Sequence, residues 1–225
     1  MIVEPDADPR AAAAALIAEA TALPAPATAA MRALRRSRSA RWRGREPGFI
    51  LEVARELQRR RACRWMGYEL IRHHRAAFTA VTDTMLEELA IGLESWDSVD
   101  GFGRILSGPA WAHGLASNAL IDRWSRSGDR WLRRTALVST IALNRPADGG
   151  RGDPERTLAI CRQLAGDPDD MVVKALSWAL RVLSGEDAAA VRRFLVAEDA
   201  RMAARVKREV RHKLDTGLKT PRGTG

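Results

Sequence analysis

The chain has 225 residues, 46% of them hydrophobic and 29% charged, with 37 Lys and Arg against 28 Asp and Glu. That length makes one large domain or two small ones with a real core, and the composition excludes an intrinsically disordered chain. A formal charge of +9 and an isoelectric point near 10.8 point to a polyanionic partner or an anionic surface. Cys63 and Cys161 stand alone, which supports neither a disulfide framework nor a zinc knuckle and suits a reducing cytoplasm.

No segment reaches the roughly 18 uninterrupted apolar residues of a membrane span. The apolar stretch Ala11–Ala18 is preceded by Glu4, Asp6 and Asp8, where a secretory signal needs positive charge. Residues 1–30 therefore read as an Ala/Pro-rich, poorly ordered tail, with at most one short helix over 10–20 that Pro24 and Pro26 terminate. Beyond it, Ile50, Val53, Ala54 and Leu57 recur at i, i+3, i+4 and i+7, the period of an amphipathic helix. The same reasoning predicts helices over about 64–75, 79–94, 98–107, 110–126, 129–144, 153–165, 169–184, 186–197 and 199–216. Breaks carry turn chemistry at Gly108-Pro109, Ser127-Gly128-Asp129, 144–153, Gly166-Asp167-Pro168 and Ser184-Gly185. Strand signals are nearly absent. The expectation is an all-α chain with a single domain over 31–216 and a C-terminal tail over 217–225.

An internal repeat is visible. Gly128-Asp129 leading into Arg130–Leu137 recurs as Pro168-Asp169 leading into Asp170–Leu176, an offset of 40 residues. An acidic turn opening an apolar helix at that period is the mark of HEAT-type helix pairs, which stack into a solenoid of about five or six pairs here, with a concave face suited to a long ligand.

Charge is concentrated at the ends. Residues 32–75 hold 14 Arg against Glu46, Glu52, Glu56 and Glu69, and the last helix adds Arg201, Arg205, Lys207, Arg208, Arg211 and Lys213. Basic ends around a near-neutral middle suit phosphate contacts to a duplex, with Arg59, Arg60 and Arg61 as candidates. The alternative is a set of solvated helix faces.

Three constellations mark the middle. In Ser95-Trp96-Asp97-Ser98-Val99-Asp100, Trp96 and Asp100 are i, i+4 on one helix face, either at the edge of a cleft or as ordinary capping and core residues. Arg133 and Arg134 open a helix that is apolar on nearly all sides, so at least one must enter the interior and meet an anion, a carboxylate or a phosphate. Asp170, Lys174, Ser177, Trp178 and Arg181 form a polar stripe on an apolar helix, with the indole placed for a ligand to stack on or for a neighbouring helix to cover. His73, His74, His113 and His212 show no metal-ligand spacing, and no phosphate loop, dinucleotide fingerprint or nucleophile elbow occurs. No metal and no cofactor is expected.

Taken together, Ser-Trp-Asp-Ser-Val-Asp at 95–100, Trp-Leu-Arg-Arg-Thr-Ala-Leu-Val at 131–138 and Val-Lys-Ala-Leu-Ser-Trp-Ala-Leu-Arg at 173–181 resemble the DNA alkylation repair family, the AlkD-type HEAT-like-repeat alkylpurine DNA glycosylases. The resemblance runs from about Pro47 to Lys219. It implies catalytic roles for Asp100, Trp96, Arg134 and Trp178, with Arg134 on the backbone phosphate. It also implies that Arg133, Lys174 and Arg181 contact DNA. Ser95 stands where the family often has a first Trp. The implied activity is a monofunctional glycosylase acting, as a monomer in the cytoplasm, on double-stranded DNA carrying alkylated purines. A non-catalytic binder of damaged or branched DNA and a protein-interaction scaffold are the other readings.

Overall fold

The computed structural model describes residues 8–24 and 28–218. Every regular element among them is helical, as the periodicity requires. The chain separates at Ile91/Gly92 into two compact units.

The N-terminal unit contains α1 (Pro9–Ala22), α2 (Thr28–Arg41), α3 (Pro47–Gln58), α4 (Arg64–His73), α5 (Arg75–Thr79) and α6 (Asp83–Ala90). The segment read as a tail contributes α1. Asp8 caps it by accepting from Ala11 N–H, and Ala12, Ala13, Leu16 and Ala20 are buried, with α3 its main neighbour. Small side chains let the two helices approach closely, so burial comes from fit rather than from an obvious apolar stripe. The parts of the tail readings that fall on residues 1–7, 25–27 and 219–225 lie outside the described residues. Phe49, Ile50, Val53, Ala54 and Leu57 bury the predicted face of α3. The helix expected over 79–94 is shorter, because the Thr82 hydroxyl caps α6 at Met85 N–H.

The C-terminal unit begins with α7 (Trp96–Phe102), a π-helical turn over Gly103–Ser107, and α8 (Gly108–Ala112). These run on without the break expected at Gly108-Pro109. Pro109 brings no N–H to the ladder, and the wider turn before it closes with Gly108 N–H on Gly103 O. A Cβ on Gly108 would lie 2.6 Å from Gly103 O and 2.7 Å from Ser139 O. Glycine is what lets this rod settle on α10 (Arg130–Leu143), where the Ser107 and Ser139 hydroxyls meet at 2.7 Å. Then come α9 (Asn118–Ser125), α11 (Pro154–Gln163), α12 (Asp170–Leu183), α13 (Ala188–Ala197) and α14 (Ala204–Thr216).

The 40-residue repeat is structural. Asp129 and Asp169 are both helix N-caps, accepting from Trp131 and Met171 N–H at 2.8 Å each. Their own N–H groups donate to Ser127 Oγ and Asp167 Oδ1. Successive copies pack side by side: α10 lies between α7–α8 and α12, and α12 between α10 and α14. A second row, α9 and α11, covers α10 from the other side. Arg133 joins the copies, donating to Asp167 through Nε at 2.6 Å and to the Ser127 and Gly128 carbonyls.

Candidate functional site

The row α7–α10–α12–α14 carries a cleft of about 590 Å³ lined by Asp100, Lys174, Trp178, Arg181, Val182, Gly185 and Lys213. Three cations, one indole and one carboxylate thus face a common space. The helix period explains the α12 contribution: Lys174, Trp178 and Arg181 follow one another on one side, while Ala175, Leu176, Ala179 and Leu180 are core. Ser177 departs from the expected polar stripe. It is fully buried and donates to Glu209 Oε2 at 2.7 Å, tying α12 to α14.

Asp100 is the one acid on the cleft wall, and Arg134 holds it from behind. Arg134 Nε donates to Asp100 Oδ1 at 2.9 Å and Nη2 to Oδ2 at 2.8 Å. Nη1 donates to the Met171 carbonyl. The Arg134 side chain is only 6% exposed and that of Asp100 18%. The guanidinium expected to grip a backbone phosphate thus bonds a carboxylate and a carbonyl of the chain itself. Of the two anions the sequence left open for a buried arginine, the carboxylate is the one present. Burial pushes the Asp100 carboxyl above its ordinary value, opposed by hydrogen bonding and attraction from Arg134 and by the Arg104 charge, and assisted by Asp97.

The sequence gives no motif for Arg104 or for a cleft role of Lys213. Arg104 is one turn beyond Asp100, at i+4, and its guanidinium carbon sits 6.0 Å from the Trp178 ring centroid, so spacing alone was a usable signal. Lys213 was visible only as one of the basic residues of the last helix. Trp96 begins α7 one turn before Asp100 and is 60% exposed. Ser95 bonds Ser98, their hydroxyls 3.0 Å apart. Trp42, Trp111 and Trp124 are core residues.

Most of the other predicted contact residues make ion pairs within the chain. Arg133 is spent on Asp167 and two carbonyls, as above. Lys174 pairs with Asp170 at 2.6 Å, and Arg181 bonds both Ser177 and Glu209. Burial alone would raise Glu209, but hydrogen bonds from Ser177 and Arg205 and the Arg181 charge hold it below its usual range. In the N-terminal unit Arg59, Arg60 and Arg61 are exposed, with Arg59 3.1 Å from Glu56. Among the described residues no group of three or more His, Cys, Asp or Glu is placed to hold a metal, and no helix is long and apolar enough to cross a membrane.

One helical unit thus sets a half-buried carboxylate, an indole and three cations along one cleft. The chain matches the model of the DNA alkylation repair enzyme family over residues 27–214, and it belongs to that family. A comparison with curated proteins returned no match.

Proposed function

We propose that this protein is a monofunctional DNA glycosylase that removes cationic N3- or N7-alkylated purines from duplex DNA, built as a HEAT-like helical-repeat solenoid and acting as a cytoplasmic, nucleoid-associated monomer. The observation that carries the reading is Asp100, a carboxylate fixed by a buried arginine at the wall of an otherwise cationic cleft. A bare binder of phosphates gains nothing from an anion there. A glycosylase does, because breaking the bond from C1′ to the base nitrogen develops positive charge on the sugar.

The alkylated base is already cationic, so it leaves with the bonding electrons as a neutral molecule and needs no acid. Asp100 stabilises the oxocarbenium-like transition state and orients the water that attacks C1′, accepting its proton. The raised carboxyl pKa suits that acceptance. One preorganised electrostatic contact of this kind is worth about 3–4 kcal/mol. Arg134 positions the carboxylate. Trp178, and Trp96 one turn from Asp100, present indole faces to the deoxyribose or the cationic base. Lys174, Arg181 and Lys213 meet backbone phosphates, with Arg59, Arg60 and Arg61 contributing from the other unit. No metal or cofactor takes part.

The Asp100–Arg134 ion pair itself favours a second reading, a structural pair inside a protein that binds damaged or branched DNA without cutting it. Release of 7-methylguanine from methylated duplex DNA separates the two. Under the glycosylase reading, wild type releases the base, Asp100→Asn does so roughly 100- to 1000-fold more slowly, and Trp178→Ala about ten-fold more slowly. Wild type that binds the duplex but frees no base establishes the binding-only reading.

A further inference from the structure

The N-terminal unit holds a separate cavity of about 520 Å³ lined by Arg43, His73, His74, Arg75, Ala76 and Thr79. Several arginines of this unit are matched with carboxylates: Arg35 with Glu69 at 2.5 Å, Arg55 with Glu88 at 2.9 Å, Arg59 with Glu56 at 3.1 Å, and Arg38 with Glu19. Arg43 and Arg75 are not. Both are exposed, and among the described residues neither has an ion-pair partner. Two uncompensated guanidiniums therefore share one cavity with two imidazoles and a hydroxyl.

The imidazoles show how strongly positive this corner is. His73 is held below its ordinary pKa by burial and by the Arg35 and Arg72 charges, with Glu69 opposing. Glu69 is itself ion-paired with Arg35. His74 Nδ1 accepts from Ala77 N–H at 3.1 Å, which places the neutral ring's proton on Nε2. That Nε2 is buried and has no partner among the described residues. Thr79 donates its hydroxyl proton to Ala76 O at 3.1 Å.

We propose that this cavity is a binding site for a phosphate oxyanion, held between Arg43 and Arg75 with His73 as a third contact. Guanidinium forks match phosphate oxygens geometrically, and among the described residues no carboxylate lines the cavity. The same chemistry has two sources, a free or chain-terminal phosphomonoester and an internal phosphodiester of DNA. The site belongs to the N-terminal unit and does not depend on the glycosylase reading.

The test uses the full chain and inorganic phosphate, read by the imidazole nitrogen resonances of His73 and His74 at a fixed pH of about 7.5. Phosphate should shift the His73 signals saturably, with equal ionic strength of chloride leaving them in place. Arg43→Gln and Arg75→Gln, both at exposed positions, should each weaken that binding about ten-fold, the scale of one charge-assisted contact. A shift that does not saturate, or that both variants retain at wild-type affinity, overturns the site. Duplexes with a 5′-phosphate, with a 5′-hydroxyl and with hairpin-sealed ends then identify the source. A His73 shift confined to the 5′-phosphate duplex assigns a chain-terminal group, and an equal shift with all three assigns the internal backbone. His73 signals that respond to none of the duplexes while responding to phosphate assign a free phosphomonoester. Base release is scored in parallel: loss of the phosphate response with normal base release sinks this site alone, and the converse sinks the glycosylase reading alone.

Discussion

Replacing either member of the Asp100–Arg134 pair should cost stability as well as activity, and replacing both should cost less than the sum. Removing one partner of a fully buried ion pair costs about 3–5 kcal/mol, because the other charge is left without compensation. Asp100 is 18% exposed at its side chain, and in Asp100→Asn the amide oxygen still accepts one bond while its NH2 opposes the guanidinium. A discounted cost of roughly 2–3 kcal/mol follows, a fall in Tm of about 4–12 °C for a chain of this size. Arg134→Met leaves Asp100 semi-exposed and able to take up a proton, so it should lose roughly 2 kcal/mol. The double variant replaces both charges with neutral groups of similar volume, and a coupling energy of about 1.5–3 kcal/mol is expected. The assay is a double-mutant cycle from urea unfolding, followed by a probe in the C-terminal unit, with base release measured on the same four proteins. Single variants that unfold at the wild-type midpoint, or a coupling energy indistinguishable from zero, would refute the assignment of Arg134 as the holder of the carboxylate.

Base release should rise with pH through the Asp100 pKa, which lies above that of ordinary aspartate because of burial; the pH–rate profile of kcat/KM should show this limb, and its loss in Asp100→Asn checks the assignment. Gly108→Ala should destabilise by more than about 2 kcal/mol, since its Cβ would lie 2.6–2.7 Å from two carbonyl oxygens. Gly48→Ala meets nothing within 4 Å and should be neutral or gain up to about 1 kcal/mol from helix propensity; thermal melts of both compare them directly. Glu209 has a lowered pKa, so its contribution is present above the ordinary glutamate value near 4.3 and lost as the pH falls through the lowered one. Glu209→Gln should therefore melt below wild type at neutral pH, by about 1–2 kcal/mol, and the gap should close on acidification. Replacing Arg59, Arg60 and Arg61 together by Ala should weaken binding to all duplex sequences alike and flatten the salt slope by up to ~0.9 per lost phosphate contact; an unchanged slope in a filter-binding series marks a solvated face.

Local and periodic features were legible in the sequence. The all-helical class, the 40-residue offset, the faces of α3 and α12 and the placement of Trp96 and Asp100 one helical turn apart all follow from spacing. What failed depended on packing partners far along the chain. Gly108-Pro109 carries the chemistry of a break, yet the wide turn at Gly103–Ser107 absorbs the proline, and Gly108 is selected by its closeness to Ser139 on α10. Of the two large apolar side chains in residues 9–22, Leu16 is buried and Ile17 only half-buried. Alanines supply the rest of the fit, and hydropathy gives them little weight.

Arg134 shows the limit most clearly, and its true partner changes the electrostatics of the cleft. Helix periodicity forces the guanidinium inward, but periodicity carries no information about whether a phosphate or a carboxylate 34 residues away receives it. With the carboxylate as partner, the charges of Asp100 and Arg134 largely cancel for a ligand at a distance, as do those of Lys174 with Asp170 and of Arg181 with Glu209, which leaves Lys213 to draw in a polyanion. At contact distance the cancellation fails. The guanidinium lies behind the carboxylate, so a developing positive charge in the cleft meets the anion first. The pair can therefore be almost silent toward the ground-state duplex and attractive toward an oxocarbenium ion. On this account Asp100→Asn, which exposes the uncompensated Arg134 charge, should bind intact duplex as tightly as wild type or more tightly while releasing base far more slowly.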